Sequence, residues 1–238
     1  MREDGRENHK IRPVKIVKNY MRYADGSCLI EQGNTKVICT ASIEEKVPPH
    51  LKDARTGWVT AEYSLLPRAT QIRVSRERFK VRGRTQEIQR LIGRCLRAVC
   101  DLRVIGEKTV IVDCDVMGAD GGTRTASITG GFISLVQGLR KAKKQRKIDI
   151  FPIGDYLGAI SVGRVGGKLM LDLTYEEDSA ADVDMNLVMT DKGKIVEIQA
   201  TGEEASFSLE EFNKMLELGS EGIKEIIKIE KEVLGELE

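Results

Sequence analysis

Aromatic residues make up only 5% of this chain, with a single tryptophan, and it carries just two histidines. Its five cysteines, Cys28, Cys39, Cys95, Cys100 and Cys114, form no CxxC pair. They sit in apolar segments, where cysteine behaves as a small core residue, so neither a zinc site nor a disulfide framework is expected. No apolar run approaches the roughly 20 residues of a membrane-spanning helix. The segment from Met1 to Pro13 is charged almost throughout and lacks the apolar core of a signal peptide, which predicts a cytoplasmic protein with no membrane partner. His9 and His50 lie in polar N-terminal stretches without a nucleophile motif, which leaves no histidine-based triad to expect. The scarcity of aromatics also leaves few platforms for stacking bases.

Charge is plentiful but unevenly divided along the 238 residues, whose net charge is only +1. Between Arg68 and Arg103 eleven basic residues face three acids, a local +8. From Asp172 to Glu238 nineteen acids face six lysines and no arginine, a local −13. A polyanion would meet one attractive and one repellent face. Solvated helix faces explain the acidic C-terminal part well. They explain the arginine-rich middle poorly, because a merely soluble face mixes signs.

The alternation over Ser27–Glu31, the turn Gly33-Asn34 and the β-branched run Lys36–Ile43 predict a hairpin. A short strand follows at Trp58–Tyr63, then a basic surface loop from Arg68 to Gly83. Thr85 is placed to cap a helix whose apolar positions run from Ile88 to Leu102 at three-and-four spacing, with Arg90, Arg94 and Arg97 on an outward stripe. Val110–Val116 reads as a strand, leading into a glycine loop and a second helix from Thr123 through Leu139. Gly158–Val165 and Lys168–Tyr175 form a hairpin, and Asp184–Thr190 with Lys194–Gln199 a second. Ser208 and Glu211 make a capping box for a long C-terminal helix. The expected fold class is α+β, antiparallel hairpins backed by three helices, in a single domain spanning residues 1–238.

Four constellations can carry chemistry. The loop GADGGTR at 118–124 lies between a strand and a helix start, where backbone N–H groups and the helix terminus suit a phosphate and Arg124 adds full charge. It lacks the GxxxxGK[ST] pattern, and taken alone a glycine pair is equally a tight turn. Gly83, Arg84 and Thr85 repeat that chemistry at another helix start, so two arginine forks could clamp one anion. Glu176, Glu177, Asp178, Asp182 and Asp184 crowd one stretch. Asp178 and Asp184, near the end of one strand and the start of the next, could converge to hold Mg²⁺ or pass a proton, although a solvated acidic loop is the commoner origin of such a run. Finally Arg68, Arg73, Arg76, Arg78, Lys80 and Arg82 form a basic segment suited to a nucleic-acid backbone.

Six ordered motifs place these residues together: REDGR at 2–6, GNTKVICTASIE at 33–44, AEYSLLPRAT at 61–70, GRTQEIQRLIGR at 83–94, DCDV with ADGGTRTASITG at 113–130, and YEEDSAADVDMN at 175–186. Almost end to end, the chain resembles the bacterial ribonuclease PH family of phosphorolytic exoribonucleases. The resemblance implies two βαβα-like halves with antiparallel and mixed sheets packed on helices, and a homohexamer built as a trimer of dimers. It implies trimming of tRNA precursors and other RNA 3′ ends with inorganic phosphate as co-substrate, reversible as a nucleotidyl transfer. By that resemblance Arg84, Gly122, Thr123 and Arg124 would hold phosphate. Asp178 and Asp184 would be catalytic and hold Mg²⁺ or Mn²⁺, with Asp178 a candidate acid, and Arg68, Arg73 and Arg76 would guide RNA. A non-catalytic RNA-binding ring subunit would not need both aspartates, and a small-molecule nucleotide enzyme would not need the basic segment.

Overall fold

A computed structural model describes residues 2–77, 79–203 and 205–237. The N-terminal half begins with β1 (Val14–Lys18), β2 (Gly26–Gln32), β3 (Thr35–Glu44) and β4 (Trp58–Leu65), and continues through α1 (Gly83–Ala98), α2 (Leu102–Ile105) and β5 (Thr109–Gly118). The central helix α3 (Thr123–Lys144) leads to β6 (Leu157–Val165) and β7 (Lys168–Leu171). Then come α4 (Tyr175–Ser179), β8 (Ala181–Thr190), β9 (Ile195–Gly202) and α5 (Leu209–Leu234). The first sheet has the order β1-β2-β3-β5-β4 and the second β7-β6-β8-β9. Every neighbouring pair is antiparallel except β4 and β5, which α1 joins by a crossover because parallel strands cannot be closed by a tight turn.

Helix α3 explains how the layers hold together. Ile128, Phe132, Ile133, Leu135, Val136 and Leu139 are all essentially buried. A helix apolar on nearly every side belongs inside a core, and α3 packs on β2, β3 and β5 of one sheet and on β6 of the other. Its N-terminus is therefore held where the two sheets meet. Helix α1 covers β4, and α5 covers β6 and β8. All five cysteines are buried and unbridged, as their apolar surroundings predict. No helix among the described residues is long and apolar enough to cross a membrane.

The fold is the α+β arrangement expected, with local corrections. Helix α1 stops at Ala98, because Asp101 accepts from the backbone N–H of Arg103 and caps the separate helix α2. Thr85 caps nothing: α1 starts at Gly83, and the Thr85 hydroxyl donates to Glu77 at 3.0 Å. Strand β7 ends at Leu171, four residues early, since Asp172 adopts φ 55° and Thr174 opens a capping box with Glu177 that starts α4. Helices α2 and α4 are four and five residues long, too short to show periodicity. The outward arginine stripe is partly engaged. Arg94 forms a two-pronged pair with Glu197 of β9 at 2.6 and 2.9 Å, and Arg97 lies over the Trp58 ring while donating to the Val59 carbonyl.

One core residue opposes the packing around it. Glu230 on α5 is fully buried, and neither carboxylate oxygen finds a hydrogen-bond partner among the described residues. Burial, aided by the nearby Asp191, pushes its pKa well up. An unsatisfied buried polar group costs roughly 1–3 kcal/mol. Glu230→Met should therefore raise the melting temperature, by roughly 2–4 °C for each kcal/mol recovered in a chain of this size. Thermal unfolding at pH 8 checks this, and an unchanged or lower midpoint would show that the carboxyl is satisfied in solution.

Candidate active site

The strand–loop–helix at 109–144 places the glycine loop at the junction of the sheets. Gly121 and Gly122 take φ values of 72° and 65°, a left-handed pair that ordinary side chains rarely adopt. Space demands glycine as well, since a Cβ on Gly121 would lie 2.3 Å from the Leu173 carbonyl oxygen. Gly122 is the N-cap of α3 and supplies no side chain there, so the first-turn N–H groups are not capped from within the helix. Thr123 is held by the Tyr63 hydroxyl, which donates to its Oγ1 at 2.9 Å. Burial raises the Tyr63 pKa despite that bond, so the phenol remains a donor.

Arg84, Gly122, Thr123, Arg124, Asp178 and Asp184 all line one cavity of about 880 Å³. The two helix starts inferred from sequence do face a common space. The Arg84 side chain makes no hydrogen bond or ion pair among the described residues. Among the described residues Arg124 has one ion pair, with Glu87 at 3.6 Å, while its Nε is buried and without an acceptor. A buried charged donor lacking a protein partner is costly and marks where an anion would fit.

Asp178 lies on α4 and Asp184 on β8, not on two consecutive strands. Burial raises the pKa of Asp178, against the attraction of Arg124 and Arg84. Burial raises Asp184 as well, reinforced by the charges of Asp178 and Glu203. These carboxylates repel one another across the cavity, and a hard cation between them would relieve that repulsion. No group of three His, Cys, Asp or Glu side chains among the described residues is arranged to hold a metal alone. Mg²⁺ commonly takes only one or two carboxylates and completes its shell with water and substrate phosphate, so the donor set fits such an ion.

Arg68, Arg73 and Arg76 are exposed on the loop after β4 but do not line this cavity. Arg68 donates to the Gln71 carbonyl at 3.0 Å, Arg73 lines a neighbouring cleft, and the charge of Arg76 is felt by Asp115. From the same loop Thr70, Val74, Ser75, Glu77 and Arg82 reach the cavity wall instead. Arg78, part of the predicted basic segment, lies outside the described residues. Sequence reasoning missed Tyr63, Glu87, Ser161, Asn186 and Glu203, which also line the cavity. Tyr63 stands inside a recognised motif, whereas Glu203 follows β9 with no local signal at all.

Residues 10–138 match the family described as 3′ exoribonuclease family, domain 1, and residues 155–222 match domain 2 of the same family. Among solved structures, the chain is similar to rice (Oryza sativa) Rrp46, at 20% identity and a TM-score of 0.79, over 97% of this chain and 98% of that one. It is also similar to a chain of the Archaeoglobus fulgidus exosome with RNA bound to the active site, at 22% identity and a TM-score of 0.81, over 95% and 91% of the two chains. A chain of an archaeal exosome core aligns at 21% identity and a TM-score of 0.75, over 96% and 89%. At such identities these likenesses establish the fold.

Proposed function

The chain belongs to the 3′ exoribonuclease family of ribonuclease PH domains, and from that membership we propose that it shortens RNA 3′ ends by phosphorolysis, with tRNA precursors as substrates, as in the bacterial enzymes its motifs resemble. The observation that carries the reading is the convergence of Arg84 and Arg124, two arginines without strong protein partners, on the cavity that also holds Asp178 and Asp184. Such a site binds an anion and sets it beside carboxylates. It needs no histidine or serine nucleophile, because phosphate itself attacks.

An oxygen of bound phosphate forms a bond to the phosphorus of the last phosphodiester while the bond from that phosphorus to the 3′ oxygen breaks. A nucleoside diphosphate leaves, and the RNA keeps a 3′ hydroxyl. Arg84, Arg124 and the α3 N-terminus orient the attacking anion and offset its repulsion from the RNA. Tyr63, through Thr123, fixes the first turn of α3. Asp178 holds its proton to a higher pH than an ordinary carboxyl, which suits it to protonate the departing 3′ oxygen. Mg²⁺ or Mn²⁺ held by Asp184, and by Asp178 when it is ionised, would supply positive charge to the oxygens around the phosphorus. One phosphate linkage replaces another, so the reaction runs in both directions.

The test is to incubate a 3′-labelled tRNA precursor with and without inorganic phosphate. Nucleoside diphosphates released only with phosphate support the reading, whereas monophosphates, or no product, reject it. We assign Arg68, Arg73 and Arg76 to the RNA backbone because they are exposed on the loop whose other residues wall the cavity. Neutralising all three should flatten the salt dependence of RNA binding by about 0.7 in the log–log slope per lost single-strand contact. An unchanged slope returns them to surface or assembly roles. Exposed Tyr20, Met21, Tyr23 and Phe79 are consistent with assembly into the homohexamer, which sedimentation would check.

A further inference from the structure

The REDGR motif at 2–6 has no part in the chemistry above, yet its first arginine is among the most buried charges in the protein. Arg2 is 5% exposed and Arg12 3%, while Asp172 is completely buried. We propose that the N-terminal segment 2–12 is a two-ended strap that positions the phosphate loop through Arg12 and the acid-bearing helix α4 through Arg2, with Asp172 as its anchor. The proposal rests on the phosphorolytic reading for its kinetic consequence.

At one end Arg12 grips Asp172. Its Nε donates to Oδ2 at 3.0 Å, its Nη2 to Oδ1 at 2.6 Å, and its backbone N–H to Oδ2 at 2.6 Å. The remaining reach of the guanidinium goes to the glycine loop: Nη1 donates to the Asp120 carbonyl and Nη2 to that of Gly121, the latter at 3.5 Å. Thr35 completes the grip, donating to the Gly121 carbonyl at 2.6 Å and accepting from the Asp120 N–H at 3.0 Å. The Ala119 N–H is likewise taken, by the Ala69 carbonyl at 2.8 Å, so the first half of the loop is fixed through both its carbonyls and its amides. Gln32 fills a further position on Asp172 at 2.9 Å.

At the other end Arg2 forks onto Glu177 at 2.7 and 2.6 Å and donates to the Leu171 and Asp172 carbonyls at 2.8 and 2.9 Å. Glu177 also accepts from the Thr174 N–H at 2.9 Å, closing the capping box of α4, and its chain neighbour is Asp178. A planar, two-pronged pair fixes orientation as well as distance, which a lysine cannot reproduce. The two ends meet at Asp120, whose side chain accepts from Tyr175 N–H at 3.2 Å. Helix α4 has only five residues and cannot hold its own direction. The strap supplies that direction, its Arg12 reaching Asp172 across 160 residues of sequence.

The two ends predict different kinetics. Arg12→Lys should raise the KM for phosphate tenfold or more with kcat within about threefold, because only the anion cradle loosens. Arg2→Lys and Glu177→Gln should lower kcat tenfold or more with the phosphate KM within about threefold, because only the placement of Asp178 is lost. A merely structural role would move both constants together in every variant. Amide hydrogen exchange gives a reading independent of activity: Arg12→Lys should speed exchange at 119–122 and spare 174–180, and Arg2→Lys the reverse. Wild-type protein that releases no nucleoside diphosphate overturns the phosphorolytic reading, and the exchange pattern alone then decides the strap. Exchange unchanged at both segments, or raised equally at both by each variant, overturns the strap. Should Arg12→Lys fail to fold, Gln32→Leu, which removes one bond from the same anchor, should show the weaker form of the Arg12 pattern.

Discussion

Arg124→Ala should abolish phosphate-dependent cleavage while the protein folds and binds RNA much as before. Arg124 stands in the first turn of α3 with a buried Nε that no group among the described residues satisfies, and its one ion pair among them, to Glu87, is long at 3.6 Å. Removing it takes little from the fold. A charge-assisted hydrogen bond to phosphate is worth roughly 1.5–3 kcal/mol, so phosphate affinity should fall about 10- to 100-fold. The rate should fall further, since negative charge grows around the phosphorus as the two anions meet. Arg84→Ala should act in the same direction, and the double variant should lose less than the product of the single losses if both arginines hold one anion. Calorimetric titration with inorganic phosphate and single-turnover cleavage of a short RNA check both steps. Full activity in either variant would remove the shared clamp.

The local parts of this site were legible because their signals are local. A glycine pair between a β-branched run and a helical run, followed by arginine, marks a candidate loop within seven residues, and the structure places Gly122, Thr123 and Arg124 on the cavity. The apolar periodicity around Ile88 and Leu91 located α1, and with it Arg84. What escaped was set by contacts distant in sequence or by elements too short to repeat. Asp172 ends β7 because Arg12, Gln32 and Arg6 gather on its carboxylate from the other end of the chain. Periodicity holds no trace of that, so the sequence pattern carries the strand on to Tyr175 and across helix α4. The edge strand β1, with sequence VKIVK, is only five residues long with exposed lysines at Lys15 and Lys18, too short for alternation to declare it. The basic loop was read by charge alone, which gives the presence of arginines but not their direction. Arg68, Arg73 and Arg76 consequently stand beside the cavity rather than in it.

Asp178→Asn and Asp184→Asn should both cripple turnover, yet in distinguishable ways. If both ligate the proposed hard cation and do nothing else, each variant lacks one anionic ligand, and both would need more Mg²⁺ and recover together as it is added. A proton-donating Asp178 adds a second loss. Its variant should stay slow at saturating Mg²⁺ on the natural 3′ oxygen leaving group and recover on an analogue whose departing oxygen needs no proton. The pH profile follows from a raised pKa. Asp178 as donor serves below its pKa, so activity should fall as the pH rises through it, and that alkaline limb should vanish in Asp178→Asn. In Asp184→Asn stability should move the opposite way to activity. A carboxyl whose folded pKa exceeds its unfolded value binds more protons when folded, so its ionisation costs stability as pH rises through that window. Asp184→Asn in metal-free buffer should therefore melt higher than wild type at pH 7, with the difference shrinking as the pH falls through the carboxylate range. Equal losses in both variants on both substrates, equally restored by Mg²⁺, would confine Asp178 to ligation, and near wild-type turnover in Asp178→Asn would remove the acidic pair from catalysis.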